Sequence, residues 1–159
     1  MSVMIRRAAD ADSAAVADIV RTCWSAYPGV VVDIDTEMPE LRNLAAHYRT
    51  LGGEAWVAEM GGHVVGCIAM APDAEPGAWI LHKLNVLPAA RRRGIGAALV
   101  RAAESVAREK DALRVGLWSD TRFVESHALY RSLGYERMPE SRMLNDRSKT
   151  EEYRFRKSL

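Results

Sequence analysis

The stretch from Lys83 to Leu99 reads KLNVLPAARRRGIGAAL, with Arg91, Arg92 and Arg93 directly before Gly94-Ile95-Gly96. Adjacent cations repel one another and glycine is a poor helix former. A segment that keeps both, where a strand-like run gives way to a helix-like run, suits the binding of negative charge. The first turn of a helix has backbone N–H groups without partners and carries the positive end of the dipole. Glycines let that backbone approach a ligand closely. Together with three arginines this makes an anion cradle of the kind that fits a pyrophosphate. A P-loop requires a closing Gly-Lys-Ser/Thr, which is missing. A dinucleotide fingerprint requires a third glycine where Leu99 stands. An Arg-x-x-Gly-x-Gly pattern is satisfied by Arg91, Gly94 and Gly96. The plainer alternative is a solvated basic turn at a helix start.

Other residues could move protons. His82 sits in a strand-like run two residues before Leu84, and imidazole titrates near neutral pH. If Leu84 and Val86 share its face, His82 points to the same side. A structural histidine is the competing reading, and Asp120, Glu37 and Glu54 are alternative bases, as is a water relay. From spacing alone Tyr130 reads as a core residue with a hydrogen-bonded tip. The segment DIDTEMPE, Asp33–Glu40, holds four carboxylates and no base. It reads either as a rim that attracts a cation or as a solvated loop with helix-start acids.

The elements that must position these groups follow from periodicity. Val3–Arg7 is a short strand, followed by a helix from near Asp10 or Asp12 with Val16, Ile19, Val20, Cys23, Trp24 and Tyr27 on one stripe. Leu41, Leu44, Ala45, Tyr48 and Leu51 mark a second helix. Ala55–Met60 and Val64–Met70 flank Gly61-Gly62 as a hairpin, and Trp79–Val86 follows as a third run. Ile95, Leu99, Ala102 and Val106 define a helix, Leu113–Trp118 a strand, and Phe123–Leu133 a helix stopped by Gly134. Two strands close the chain, one from Tyr135 and one through Tyr153 and Phe155. The pattern predicts one α/β domain over residues 1–159, with a mixed, mostly antiparallel sheet of about six or seven strands and about four covering helices.

At 159 residues, 48% hydrophobic and 27% charged, the chain has the composition of a globular domain. A net charge of +1 and one short basic cluster do not make a nucleic-acid footprint. No apolar run approaches the ~20 residues of a membrane span, and MSVMIRRAADAD lacks a signal peptide's apolar core. The expected location is the cytoplasm. Cys23 and Cys67, far apart among apolar residues, are expected to be buried thiols, and no metal site is expected.

KLNVLPAARRRGIGAALV resembles the acetyl-CoA-binding motif of the GNAT superfamily of N-acetyltransferases. LYRSLGY, Leu129–Tyr135, is similar to that family's second signature, and the order of elements matches over most of the chain. The resemblance implies a GNAT-like fold and transfer of an acetyl group from acetyl-CoA to a primary amine of a small molecule, by direct attack. It implies that Leu84, Asn85 and Val86 pair with the pantetheine arm, where two parallel strands splay apart. It implies that backbone N–H groups of Arg92, Arg93, Gly94, Ile95, Gly96 and Ala97 take the pyrophosphate, with the arginine side chains in support. It assigns Tyr130 as general acid, with His82 the candidate base, and puts Ser126 beside the cofactor. The family often has asparagine where this chain has Phe123. The wording is weakly similar to members that acetylate small amines, including tabtoxin-resistance types. A homodimer is compatible with the family. The alternative function is a non-catalytic acetyl-CoA or CoA sensor, or an interaction module.

Overall fold

Gly61 and Gly62 carry φ of 58° and 79°, the pair of positive angles that a tight two-residue hairpin turn requires. Around them Glu54–Met60 (β2) and His63–Pro72 (β3) pair antiparallel, with Met60 opposite His63. The computed structural model describes residues 2–159, and this hairpin supplies the second and third strands of a seven-stranded sheet. Val3–Arg7 (β1) lies outside β2, and Ala78–Val86 (β4) lies on the other side of β3. Arg114–Asp120 (β5), Glu136–Met143 (β6) and Glu151–Ser158 (β7) complete the order β1-β2-β3-β4-β5-β7-β6. Only β4 and β5 run parallel.

Helices Ser13–Trp24 (α1), Ile34–Glu37 (α2, a single turn) and Leu44–Thr50 (α3) belong to the first half of the chain. Ile95–Glu109 (α4) and Val124–Ser132 (α5) belong to the second. The two faces of β3 explain where they go. Cys67 and Ala69 pack with Val16, Ile19, Val20, Leu44 and Tyr48 from α1 and α3. Ile68 and Met70 pack with Ile95, Leu99, Val100 and Ala103 from α4. A strand covered on both sides reads as a continuous apolar run rather than an alternating one, as HVVGCIAMA does. Truncating a fully buried side chain such as Ile68 or Leu99 to alanine would cost about 2–5 kcal/mol.

The expected mixed sheet and its order of elements are present. The differences are local. Residues expected in one second helix divide into a 3-10 turn, Pro39–Asn43, and α3, while Leu51 is 48% exposed. The strand expected from Leu113 begins one residue later, and Leu113 itself is 64% exposed. The acidic segment contains the additional short helix, whose first turn Asp33 caps by accepting from the Thr36 amide.

Two departures from regular sheet geometry position the site. β4 and β5 pair only from Ala78 and Arg114 to Leu81 and Leu117. Beyond that point β4 stays with β3 as far as Val86, and β5 stays with β7 as far as Asp120. The strands therefore part and leave a wedge. At its base β4 carries a bulge, with Ala69 opposite His82 but Cys67 opposite Asn85, so that Lys83 and Leu84 face one residue of β3. Lys83 adopts a left-handed φ of 63°, which costs a lysine about 1–2 kcal/mol. The ladder on either side and an ion pair to Glu40 at 2.7 Å hold it there.

Candidate active site

The wedge opens into a cavity of about 660 Å³ between the ends of α1, β4, α4 and α5. Its floor is the turn before α4. Arg92 and Gly94 both have left-handed φ, 64° and 74°, and Gly94 is the N-cap. The first intrahelical bond runs from the Ala98 amide to the Gly94 carbonyl. Among the described residues the amides of residues 92–97 find no backbone acceptor outside the helix, so this turn is a concave set of free donors at a helix N-terminus. Gly96 serves packing as well. A Cβ there would come within 2.9 Å of a Leu129 methyl, so its absence lets α4 and α5 approach.

The candidate cofactor residues gather at this cavity. Leu84, Asn85 and Val86 form one wall, Gly94, Ile95, Gly96 and Ala97 the floor, and Ser126 the far side. Ile95 offers only its amide, because its side chain is buried in the core. The arginines divide. Arg92 lines the cavity, whereas Arg93 does not. Arg91 lines it but folds back as a brace. Its Nε donates to the Val86 carbonyl at 3.0 Å and its terminal nitrogen to Cys23 Sγ at 3.7 Å. The same carbonyl accepts from the Cys23 thiol at 3.4 Å. The three arginines are therefore not equivalent: Arg92 lines the cavity, Arg91 also holds the end of β4 against α1, and Arg93 lies outside the lining.

A second cavity, about 290 Å³, lies on the other side of the parted strands. Trp24, Leu84, Asn85, Phe123 and Ser126 belong to both cavities, so the two meet there. Phe123, standing where the family often has asparagine, packs its ring against Tyr27 at 4.7 Å and Trp24 at 6.0 Å between centroids. It makes the junction apolar. Tyr130 lines the second cavity one helical turn beyond Ser126. Its ring packs on Phe155 and Tyr135, and its hydroxyl has no hydrogen-bond partner among the described residues. The hydrogen-bonded tip expected of a core tyrosine is absent. Burial pushes this hydroxyl above the ordinary phenol range, so it is protonated at neutral pH.

His82 also lines the second cavity, but the bulge turns its side chain away from Leu84 and Val86. Those two pack with the α4 side of the sheet, while His82 Nδ1 lies 3.2 Å from the Tyr48 hydroxyl on α3. The expectation that the three share a face fails because one extra residue in β4 inverts the alternation. Burial, with Lys83 nearby, lowers the His82 pKa to about 4, so the ring is neutral at pH 7. The contact ties the imidazole to α3, with Tyr48 Oη or Nδ1 as donor according to the ring's tautomer. Of the alternative bases, Asp120 is held bidentate by Arg122 at 2.9 Å, and Glu54 lies outside both cavities, paired with Arg49 at 3.2 Å. Glu37 lines the second cavity and accepts from the Arg147 amide at 3.2 Å.

Several contributors carry no local signal in the sequence. His127 donates from Nε2 to the Asp120 carbonyl at 3.0 Å and lies 3.1 Å from Ser119 Oγ, fixing to α5 the end of β5 that has parted from β4. A polar residue on the buried face of α5 was the available clue. The β6–β7 loop closes on the α1–α2 loop. Ser148 bonds both the amide and the carbonyl of Val31, at 2.7 and 3.2 Å, and Arg147 pairs with Asp33 at 3.0 Å. With Asp35 held by Arg42 and Glu40 by Lys83, most of the acidic rim is neutralised in place. Cys23 and Cys67 are both buried and unbridged. Among the described residues no group of three or more potential ligands could hold a metal, and no helix is long and apolar enough to cross a membrane.

Comparison with known proteins agrees with this arrangement. Residues 14–135 match the model of the acetyltransferase (GNAT) family. An uncharacterized N-acetyltransferase of Escherichia coli, YjgM, is 33% identical over 139 residues, covering 85% of this chain and 83% of its own. A GNAT-family acetyltransferase structure from Staphylococcus aureus superposes with a TM-score of 0.85 at 17% identity, covering 99% of each chain. The structure of YncA from Salmonella typhimurium, a putative acetyltransferase with its cofactor acetyl-CoA, gives 0.77 at 20% identity, covering 100% of this chain and 95% of that one. Parted parallel strands, a free-donor turn at a helix start and the match over residues 14–135 coincide, and the chain belongs to the GNAT family of acetyltransferases.

Proposed function

We propose that the protein is a single-domain N-acetyltransferase that moves an acetyl group from acetyl-CoA to a primary amine of a small molecule. The observation that carries the reading is the junction of the two cavities at the parted strands, with a phosphate-sized cradle on one side and Tyr130 on the other. The residues fit the cosubstrate. The free amides of residues 92–97 and the Arg92 side chain suit a pyrophosphate, and the edge of Leu84–Val86 that β5 leaves unpaired suits an extended amide-bearing arm. YncA, of the same fold, holds acetyl-CoA.

Acetyl-CoA brings a thioester carbonyl that a neutral amine attacks directly, the carbon–sulfur bond breaking as the carbon–nitrogen bond forms. The chain's task is to orient the partners and to move two protons. Tyr130, protonated and without a competing acceptor, donates toward the departing sulfur. Burial keeps the His82 ring neutral and weakly basic, with a pKa of about 4, so we assign it to hydrogen bonding with the acceptor rather than to the base role expected from its residue type. The amine loses its proton through water in the second cavity, the relay already weighed against individual bases. The junction is lined by Trp24 and Phe123, whose apolar surfaces limit competing hydrolysis.

The test is thiol release from acetyl-CoA by the purified protein with an amine panel, repeated with Tyr130→Phe. Loss of general-acid catalysis should lower kcat about 10²–10⁴-fold and leave acetyl-CoA affinity unchanged. Full activity in that variant would remove Tyr130 from the mechanism. A protein that binds acetyl-CoA and acetylates no amine would instead be a sensor.

A further inference from the structure

The second cavity has a charge pattern that the acetyltransferase reading alone does not require. Four carboxylates line it, those of Glu37, Asp120, Asp146 and Glu152, against one cation, Lys83. Asp120 is neutralised by Arg122 and Glu152 by Arg142 at 2.8 Å. Lys83 is itself taken by Glu40 at 2.7 Å. Glu37 and Asp146 have no ion pair among the described residues. Glu37 accepts from the Arg147 amide, and Asp146 from the amide and hydroxyl of Thr150 at 2.8 and 2.6 Å. His82, neutral near pH 7, adds no positive charge.

Apolar side chains make up much of the rest of the wall, beside neutral polar groups such as Asn85, Ser119, Ser126 and Thr150. Trp24 comes from the end of α1, Met38 from the turn after α2, Trp118 from β5, Phe123 from the start of α5 and Leu144 from the loop after β6. A volume of about 290 Å³ lies at the small end of ligand pockets.

We propose that this cavity takes a small apolar primary amine, with an aromatic or branched alkyl body, and excludes acceptors that carry a carboxylate beside the amine. The inference rests on the acetyltransferase reading and narrows its substrate. An ammonium group entering the cavity meets a favourable field from Glu37 and Asp146, and its apolar body covers aromatic surface that would otherwise hold water. A free amino acid brings the same body with a carboxylate. That group must give up water and finds no unpaired cation to replace it, while the carboxylates of Glu37 and Asp146, neither in an ion pair among the described residues, repel it. The discrimination therefore comes from what the wall withholds as much as from what it offers.

The experiment uses matched pairs that differ by the carboxylate alone. These are 2-phenylethylamine against phenylalanine, tryptamine against tryptophan, and isoamylamine against leucine, with spermidine as a polycationic comparison. Thiol release from acetyl-CoA is read for each, and acetyl-CoA binding is measured separately by calorimetry. The amines are expected to exceed their amino acids in kcat/KM by at least about 100-fold, and Glu37→Gln should narrow that ratio several-fold with acetyl-CoA affinity unchanged. Equal rates within a pair, preference for the amino acid, or spermidine as the fastest acceptor would overturn the proposal. Binding of acetyl-CoA with no turnover of any apolar amine would also overturn it and leave the cofactor site standing. Failure to bind acetyl-CoA would remove the acetyltransferase reading beneath it.

Discussion

The two cavities of this molecule are built in opposite ways. In the larger one the floor and one wall are local in sequence, with α1 and α5 closing the other sides. Its floor is a single turn, Arg91–Ala97, and this wall is the strand just before it. The smaller one is assembled at long range, by a β6–β7 loop whose bonds to the α1–α2 region span sequence separations of 110, 114 and 117 residues. In the first, backbone amides do the binding, and glycine and left-handed angles determine the shape. In the second, side chains from six helices and strands and two loops determine it. A backbone cradle depends on few residue identities, whereas a side-chain pocket changes with each of them. The consequence is that one half fits a fixed cosubstrate and the other a selected acceptor.

The largest effect that would sharpen this contrast is expected at Gly94. A Cβ there meets nothing within 4 Å, so Gly94→Glu has room, at about 1–2 kcal/mol for a left-handed non-glycine residue. Its carboxylate would sit among the free amides and repel a pyrophosphate. Acetyl-CoA affinity should fall at least about 100-fold by calorimetry, in a protein whose circular dichroism is unchanged. Retained affinity would remove the turn from the account.

The loop clasp is the complementary case. Ser148→Ala with Arg147→Ala removes exposed bonds worth roughly 1 kcal/mol in stability. The acceptor KM should rise about three- to tenfold while acetyl-CoA affinity stays the same. Should the cofactor affinity fall as far as the acceptor affinity, the two cavities would not be separable.

The smallest effect concerns pH. His82 titrates at about 4 in the folded chain, below its ordinary value of 6.5. Between these values the unfolded chain binds the extra proton, so stability rises with pH across that window and is lost as pH falls through it. The contribution is at most about 3 kcal/mol. Denaturant melts from pH 7 to 4 should show a shallower decline in His82→Asn than in the wild type. Parallel curves would mean that the buried imidazole is not the cause.

The same contrast explains what was legible beforehand. The hairpin at Gly61-Gly62, the apolar run of β3, the α4 stripe and the arginine-glycine turn are all short-range patterns, and they appear where periodicity placed them. Tyr130 was legible only through LYRSLGY, because its spacing is that of any core residue. The face of His82 was not legible, because a bulge leaves no mark in composition and its partner Tyr48 lies far away on α3. The bracing contacts of Arg91 were not legible either, since its partners Val86 and Cys23 are brought to it only by the fold. His127 and the Ser148 clasp act through contacts that no local pattern encodes.

The most direct measurement is a calorimetric titration of the wild-type protein with acetyl-CoA, and with NAD as a second pyrophosphate-bearing ligand. One saturable site for acetyl-CoA and none for NAD is the expected result, because the parted strands and the Arg91–Ala97 turn together fit an extended arm joined to a pyrophosphate. No saturable heat with acetyl-CoA, or equal binding of both ligands, would contradict it.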